Sequence, residues 1–308
     1  MNADTKAERE RLARVYLLTV TRSGERDVSD LVLQYGPALA AELIAASNGG
    51  AWEEEATAAL EQCRKAELRL VVPGDDEWPA ALAKDPWTAP LGLWVWGRGR
   101  LNELCMRVVG VAGRTDATPY GITAAAEIGR QVARAGWTVV TLGRPGIDSA
   151  ALRGAVQVRA PGTLGRHDVL GDRPAAEAAS PLVLPFGRLL DPQPLAHVEL
   201  FRRVGWAGAL AGEHGPNVPK RHGRPDVRRQ LRLLASLSTA LVVVEPNGQG
   251  WDSRLVRAVE DANRPVLTIP GPINCEQSEF AHELFRTARA RLVTGPDQVL
   301  SELDRSHR

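Results

Sequence analysis

The chain has 308 residues, 44% hydrophobic and 24% charged, with a formal net charge of +1 at pH 7. That length holds one large domain or two modest ones. The near-neutral balance excludes a global polycation, so any affinity for nucleic acid has to come from a local basic patch.

The N-terminus, MNADTKAERERLAR, is charged and reads as no signal peptide. Residues 10 to about 70 read as a small helical domain. RLARVYLLTV sets Leu12, Val15, Tyr16 and Leu18 on one face, and VSDLVLQYGPALAAELIAAS breaks at Gly36-Pro37 in a helix–turn–helix pattern. EEEATAALEQCRKA supplies a further helix. Residues 71–105 form a connector rich in proline and tryptophan, in which LGLWVWG can be a strand. Its tryptophans suit core packing better than base stacking.

From residue 106 strands and helices alternate. RVVGVAG is a strand. Thr118 is a plausible N-cap with Pro119 at the first helical position, and that helix stops at Gly136. WTVVTLG is the second strand, with Asp148 capping SAALRGAV. PLVLPFG is the third, and Asp191-Pro192 starts a helix through AHVELFRRVG. GALAGE is a weak strand and RRQLRLLASLS a helix. ALVVVEP is a continuous apolar run of the kind buried in parallel sheets, followed by Asp252 capping SRLVRAVEDAN. RPVLTIPG and RLVT complete the strands, with SEFAHELFRTA and PDQVLSEL as helices. The pattern indicates an α/β fold, a Rossmann-like doubly wound parallel sheet over residues 106–308, covered on both faces. Residues 158–180 lack periodicity and read as a flexible insertion. No internal repeat is evident. No apolar run approaches the roughly 20 residues of a membrane span. Cys63, Cys105 and Cys275 form no C-x-x-C pair, which speaks for thiols in a reducing cytoplasm.

Ligands of such sheets bind beyond the carboxyl ends of the strands. That rule selects the loops Gly113–Pro119, Gly143–Asp148, Pro185–Asp191 and Glu245–Asp252. Gly113 lets a backbone approach closely, the helix start at Thr118 presents amides, and Arg114 can bond an anion. A plain turn with an exposed arginine fits the same residues. Gly143, Arg144, Gly146 and Asp148 form a second glycine turn, and with the first they make one amide-lined concave site if their strands are neighbours. There is no G-x-G-x-x-G and no GK[ST]. PKRHGRPDVRRQLR is a basic strip holding Lys220, Arg221, Arg224, Arg228, Arg229 and Arg232 against Asp226 alone. It is either a solvated face or a track for a phosphate backbone. The six histidines are scattered and no catalytic set emerges. Glu245, at the end of the clearest strand, is an acid–base candidate or a loop cap.

Taken in order, WPAALAKDPWTAPLGLWVWG, YGITAAAEIGRQVARAGWTVVTLGRPGIDSAALRGAV, RRQLRLLASLSTALVVVEP and NRPVLTIPG resemble the DprA/Smf family of DNA-processing proteins over nearly the whole chain. The resemblance implies single-stranded DNA binding by an extended Rossmann fold, delivery to a RecA-type recombinase, a homodimer, and no cofactor or metal. It implies a role in DNA uptake, protection and natural transformation. Several motifs depart from the family. Its Gly-Ser-Arg turn reads Ala112-Gly113-Arg114, and its Ser-Gly-x-Ala stretch becomes Thr141-Leu142-Gly143-Arg144-Pro145. Leu152 replaces a histidine, and Gln230-Leu231-Arg232 replaces Arg-Asn-Arg. NGQGWDSR, with Asn247 and Gly248, replaces Ser-Gly-Ser-Leu. The family's C-terminal winged helix is not expected here, since the sequence ends at SELDRSHR.

Three readings stand. In the first, Gly113, Arg114, Thr118, Gly143, Arg144, Gly146 and Asp148 shape a single-stranded DNA site. Lys220, Arg228, Arg229, Arg232, Asn247 and Gly248 then contact the strand. In the second, the site senses or cleaves a nucleotide or nucleotide-derived signal. In the third, the fold is a scaffold acting through protein contacts.

Overall fold

Helix formers with few interior breakers build the first 65 residues. The fold is that of a computed structural model describing residues 3–20, 26–48, 51–84, 89–158, 179–185, 189, 194–214 and 227–307. The leading helices are α1 (Ala3–Val20), α2 (Arg26–Tyr35), α3 (Pro37–Asn48) and α4 (Trp52–Lys65). Gly36, at φ +81°, supplies the left-handed residue between α2 and α3. Their apolar faces close around Tyr16, Leu17, Ala40, Ala56 and Cys63, and the same cluster continues through Leu70, Trp94 and Phe201. The helices therefore share a core with the sheet.

The rest of the chain runs β1 (Arg69–Val71), β2 (Leu93–Trp96), α5 (Leu101–Leu104), β3 (Val108–Gly113), α6 (Pro119–Arg134), β4 (Thr138–Thr141) and α7 (Ile147–Gln157). It continues through β5 (Leu182–Val183), α8 (Val198–Ala207), β6 (Ala209–Gly212), α9 (Val227–Leu237), β7 (Ala240–Val244) and α10 (Trp251–Asp261). β8 (Val266–Thr268), α11 (Glu279–Arg286), β9 (Arg291–Leu292) and α12 (Pro296–His307) complete it. The described strands form one sheet in the order β1-β2-β6-β5-β4-β3-β7-β8-β9. From β6 to β9 every pairing is parallel. β1 and β2 pair antiparallel and extend the sheet beyond β6. The segment read as a connector thus supplies β2 and the last residue of the edge strand β1, and its Trp78 and Trp94 are buried core residues.

Alternation along β3 fixes the two layers. Val108 and Ala112 join the cluster under α9 and α10, while Val109 and Val111 join the one under α6, α7 and α12. α6 and α7 approach through glycines. A Cβ on Gly129 would stand 2.1 Å from the Ala151 carbonyl oxygen, and one on Gly154 would stand 2.0 Å from that of Ala126. The two helices therefore pack backbone to backbone within their interiors. Thr118 caps α6 as its sequence suggests, accepting the Gly121 N–H at 3.2 Å, and Gly136 ends the helix at φ +82°.

From β3 the chain steps to β4, β5 and β6 on one side. It then crosses by α9 to β7 on the other side of β3. The strand order therefore reverses between β3 and β7, where Gly113 pairs with Val244. In open α/β sheets that reversal is where ligands bind. The insertion expected at 158–180 and the helix start at Asp191-Pro192 lie largely outside the described residues. No described helix is long and apolar enough to cross a membrane.

Candidate functional site at the carboxyl edge of the sheet

The β3 exit is tightly packed. A Cβ on Gly113 would lie 1.9 Å from the Val244 carbonyl oxygen, so this glycine serves strand packing. Arg114 donates to the Asp116 carboxylate from Nε at 3.1 Å and Nη2 at 3.3 Å. Its side chain is 13% exposed against 69% for Asp116. The Asp116 hydrogen bond, opposed by burial, holds the guanidinium above its ordinary pKa, and the same bond holds the Asp116 carboxyl below its own.

Glu245 follows β7 in the left-handed region, at φ +46°. Its buried carboxylate accepts from the Thr118 N–H at 2.8 Å and from the Thr118 hydroxyl. A Cβ on Gly121 would sit 2.5 Å from the carboxylate, so a larger residue there would push Glu245 off Thr118. An anion does stand at the positive end of α6, and it is the protein's own. The space between Tyr120, Glu245, Ile269 and Ser278 is too narrow to admit a water molecule.

The loops after β4 and β7 are built alike. Gly146-Ile147-Asp148-Ser149 and Gly250-Trp251-Asp252-Ser253 each begin on a glycine, with φ, ψ of 75°, −124° and 78°, −126°. Each serine hydroxyl donates back to the glycine carbonyl, at 3.1 and 3.3 Å. These glycines, not the aspartates, are the N-caps, which corrects the capping role read for Asp148 and Asp252. The carboxylates turn back into their loops. Asp148 accepts the Arg144 N–H at 3.4 Å, and Asp252 accepts that of Asn247 at 2.9 Å.

Arg144 joins both turns. Its Nη2 donates to Asp252 at 2.9 Å, to Asp148 at 3.2 Å and to the Gly113 carbonyl at 3.0 Å, and its Nε donates to Asp148 at 3.3 Å. The three side chains are 11%, 3% and 0% exposed for Arg144, Asp252 and Asp148. Burial opposes the charge on Arg144, but the carboxylates outweigh it and raise its pKa above the ordinary arginine value. Burial pushes the Asp148 carboxyl up, with Arg144 opposing. Arg144 is thus a brace across three loop ends. Gly143 is also enclosed. Its N–H donates to the Thr141 hydroxyl at 3.0 Å, and its carbonyl accepts from His197 Nδ1 at 3.1 Å. A carbonyl can only accept, so the ring carries its hydrogen on Nδ1. The Ile147 N–H donates to the Arg114 carbonyl at 3.1 Å. The amides of Gly143, Arg144 and Ile147, which the two glycine turns would aim at an anion, are therefore engaged within the protein.

Among the described residues, the exposed part of this edge lies where α9 and α10 start. α9 carries Arg228, Arg229 and Arg232 and no acidic residue. Arg229 pairs with buried Glu213 at 2.8 Å, and Gln230 donates to the carbonyls of Leu184 and Pro185, which anchors the helix to the end of β5. Arg228 and Arg232 are exposed, one turn apart. Next to α9, Trp251 is 36% exposed at the first position of α10, and Arg254 and Arg257 are exposed on the same helix. Trp251, Arg254 and Arg257 were missed from the sequence. Their spacing after a glycine turn was the available signal. Asn247 and Gly248 are exposed in the preceding loop, with the Asn247 side chain accepting the Gln249 N–H at 3.0 Å. Lys220, Arg221 and Arg224 lie outside the described residues. Among the described residues no cluster of three or more His, Cys, Asp or Glu side chains could hold a metal.

Comparison with known proteins gives this geometry a context. The family model described as DNA recombination-mediator protein A matches residues 69–304, beginning at the first residue of β1. The putative DNA processing protein DprA of Mycobacterium tuberculosis is 31% identical over 306 residues, covering 92% of this chain and 73% of that protein. Protein Smf of Synechocystis is 22% identical over 246 residues, or 79% and 56% of the two chains. The structure of DNA processing protein A from Streptococcus pneumoniae superposes with a TM-score of 0.68 at 22% identity, over 96% of this chain and 97% of that one. That of DNA processing protein A from Helicobacter pylori, described for its single-stranded DNA binding mode, superposes at 0.60 with 17% identity, over 79% and 98%.

Proposed function

Because the chain belongs to the DNA recombination-mediator protein A family, the DprA/Smf proteins, we propose that it binds single-stranded DNA along the α9–α10 corner. The observation that carries this reading is the acid-free arginine face of α9 beside the half-exposed Trp251. Arg228 and Arg232 meet phosphates, with Arg254 extending the track; Lys220, a candidate contact in the sequence, lies outside the described residues. Trp251 stacks on a base, and Asn247 and Gly248 border its loop. This combination of a cationic track and an aromatic platform suits single strands of any sequence. Gly113, Arg114, Thr118, Gly143, Arg144, Gly146 and Asp148 form the frame that sets these elements. In the cytoplasm such a protein would protect incoming DNA during natural transformation and pass it, as a homodimer, to a RecA-type recombinase.

A polymer fits the site better than a mononucleotide, because the Glu245 carboxylate already stands at the start of α6. The test is fluorescence anisotropy with single-stranded DNA, duplex DNA and RNA at two salt concentrations. A preference for single-stranded DNA that weakens steeply with salt is expected. Absent or salt-insensitive binding, or a thermal shift with mononucleotides alone, overturns the proposal.

A further inference from the structure

We infer that Trp206 is a second base-stacking platform for single-stranded DNA, at the amino edge of the sheet and on the face covered by α8, opposite the face covered by α9 and α10. The inference rests on the DNA-binding reading above. Trp206, in the last turn of α8, is 64% exposed. The Arg98 guanidinium covers one face of its ring, 3.8 Å from the centroid, and the residue remains exposed despite that contact. A ring backed by a cation is a ready surface for a nucleobase.

The placement of Arg98 is built into the backbone. Arg98 lies in the glycine turn Gly97-Arg98-Gly99 after β2. Its N–H donates to the Gly205 carbonyl at 3.0 Å, and the Gly99 N–H donates to that of Gly208 at 2.8 Å. Arg69 grips the same turn from behind, donating to the carbonyls of Gly97 at 2.7 Å and Gly99 at 2.6 Å. Gly97 sits at φ +118°, and a Cβ there would stand 2.7 Å from two carbonyl oxygens of the α8 terminus. The turn that carries Arg98 is therefore locked to the helix that carries Trp206.

The surroundings are cationic. Arg202 and Arg203 precede Trp206 by four and three positions, on its own helix face, and both are exposed. Arg100 is exposed on the adjoining turn. The nearby acids Glu199 and Glu103 meet Arg202 and Arg100 only loosely, at 3.9 and 3.7 Å. Among the described residues four exposed arginines, Arg98, Arg100, Arg202 and Arg203, thus stand around Trp206 against Glu103 and Glu199, and that excess of positive charge favours a polyanion.

The two platforms lie on opposite faces of the sheet: α9 and α10 pack on the cluster holding Leu182 and Ala209, and α8 packs on the one holding Val183 and Leu210. A strand that meets both has to pass round the edge of the sheet.

Oligodeoxynucleotides of about 6 and about 30 residues separate the two sites, because only the longer one can pass round the sheet and meet both faces. Anisotropy would be read for the full chain, Trp206→Ala, Trp206→Phe and Arg98→Ala. Trp206→Ala is expected to weaken the long oligonucleotide about 5- to 100-fold and to leave the short one unchanged, with Trp206→Phe recovering most of the loss. Photocrosslinking through 5-iododeoxyuridine should recover the α8 peptide. Wild-type binding that Trp206→Ala leaves intact for both lengths overturns the platform while the DNA reading survives. Loss of self-association in Trp206→Ala at unchanged DNA affinity overturns it in favour of a protein contact. A wild-type chain that binds neither oligonucleotide overturns both readings.

Discussion

Replacing Arg228 and Arg232 together with alanine should change how DNA affinity responds to salt and leave the fold intact. Both side chains are exposed on α9, and alanine is the better helix former at each position. Each lost phosphate contact lowers the slope of log K against log[salt] by about 0.7 for a single strand, so the double variant should be shallower by about 1.4. Between about 50 and about 200 mM salt, the ratio of wild-type to variant affinity should therefore shrink about sevenfold. Anisotropy titrations of a labelled single strand across that range measure it directly. Arg229→Ala is the internal comparison. Its guanidinium faces buried Glu213, so that change should lower stability and leave the slope near wild type. A double variant with the wild-type slope would show that the α9 face does not meet phosphates.

The frame makes its own predictions. Arg144→Met leaves Asp148 and Asp252 buried without a cation and should cost about 3–5 kcal/mol in guanidinium chloride unfolding; a cost near zero would rule out the brace. Gly250→Ala meets no atom within 4 Å and should cost only backbone strain, about 1–3 kcal/mol. Gly146→Ala adopts the same strained backbone but places its Cβ 2.2 Å from the Arg114 carbonyl, so it should be the more damaging of the pair in the same assay. Burial pushes the Cys63 and Cys105 thiols up to about 12, so native protein at pH 8 should be labelled by a thiol reagent at Cys275 first, and denatured protein at all three. These two thiols favour folding while the unfolded chain keeps its thiols protonated. That contribution falls as pH rises from about 8.5 toward the folded values. Equal labelling rates for Cys63 and Cys275 in native protein would contradict it.

The sheet is readable because its central strands are buried on both faces. WTVVTLG and ALVVVEP must then be continuous apolar runs, and the Thr118-Pro119 cap marks where a helix follows. The edge is harder to read. β1 and β2 are three and four residues long, too short for a period to show, and β2 pairs with β6, more than a hundred residues away. The site shares that limit. Each Gly-x-Asp-Ser turn read alone looks like a capped helix start. Only the adjacency of β4, β3 and β7 places Arg144 between two carboxylates and turns two caps into one brace.

That brace changes the electrostatic meaning of the edge. Arg114 and Arg144 are the cations of the switch-point loops, and Asp116, Asp148, Asp252 and Glu245 stand around them. Neither arginine offers an uncompensated charge there, so on the proposed reading a polyanion meets α9 and not the crevice. Asp116 is the exposed member of this set, and its removal is the sharpest probe of the arrangement. Asp116→Asn deletes a surface anion and releases the guanidinium of Arg114 from its ion pair. If the strand passes within reach of the β3 exit, the variant should bind single-stranded DNA more tightly and steepen the salt slope by up to about 0.7. A tighter complex with an unchanged slope would mean that only long-range repulsion was relieved and that Arg114 stays off the phosphates. Weaker binding would contradict the charge argument itself, because it would make Asp116 a support for the strand and not a screen against it.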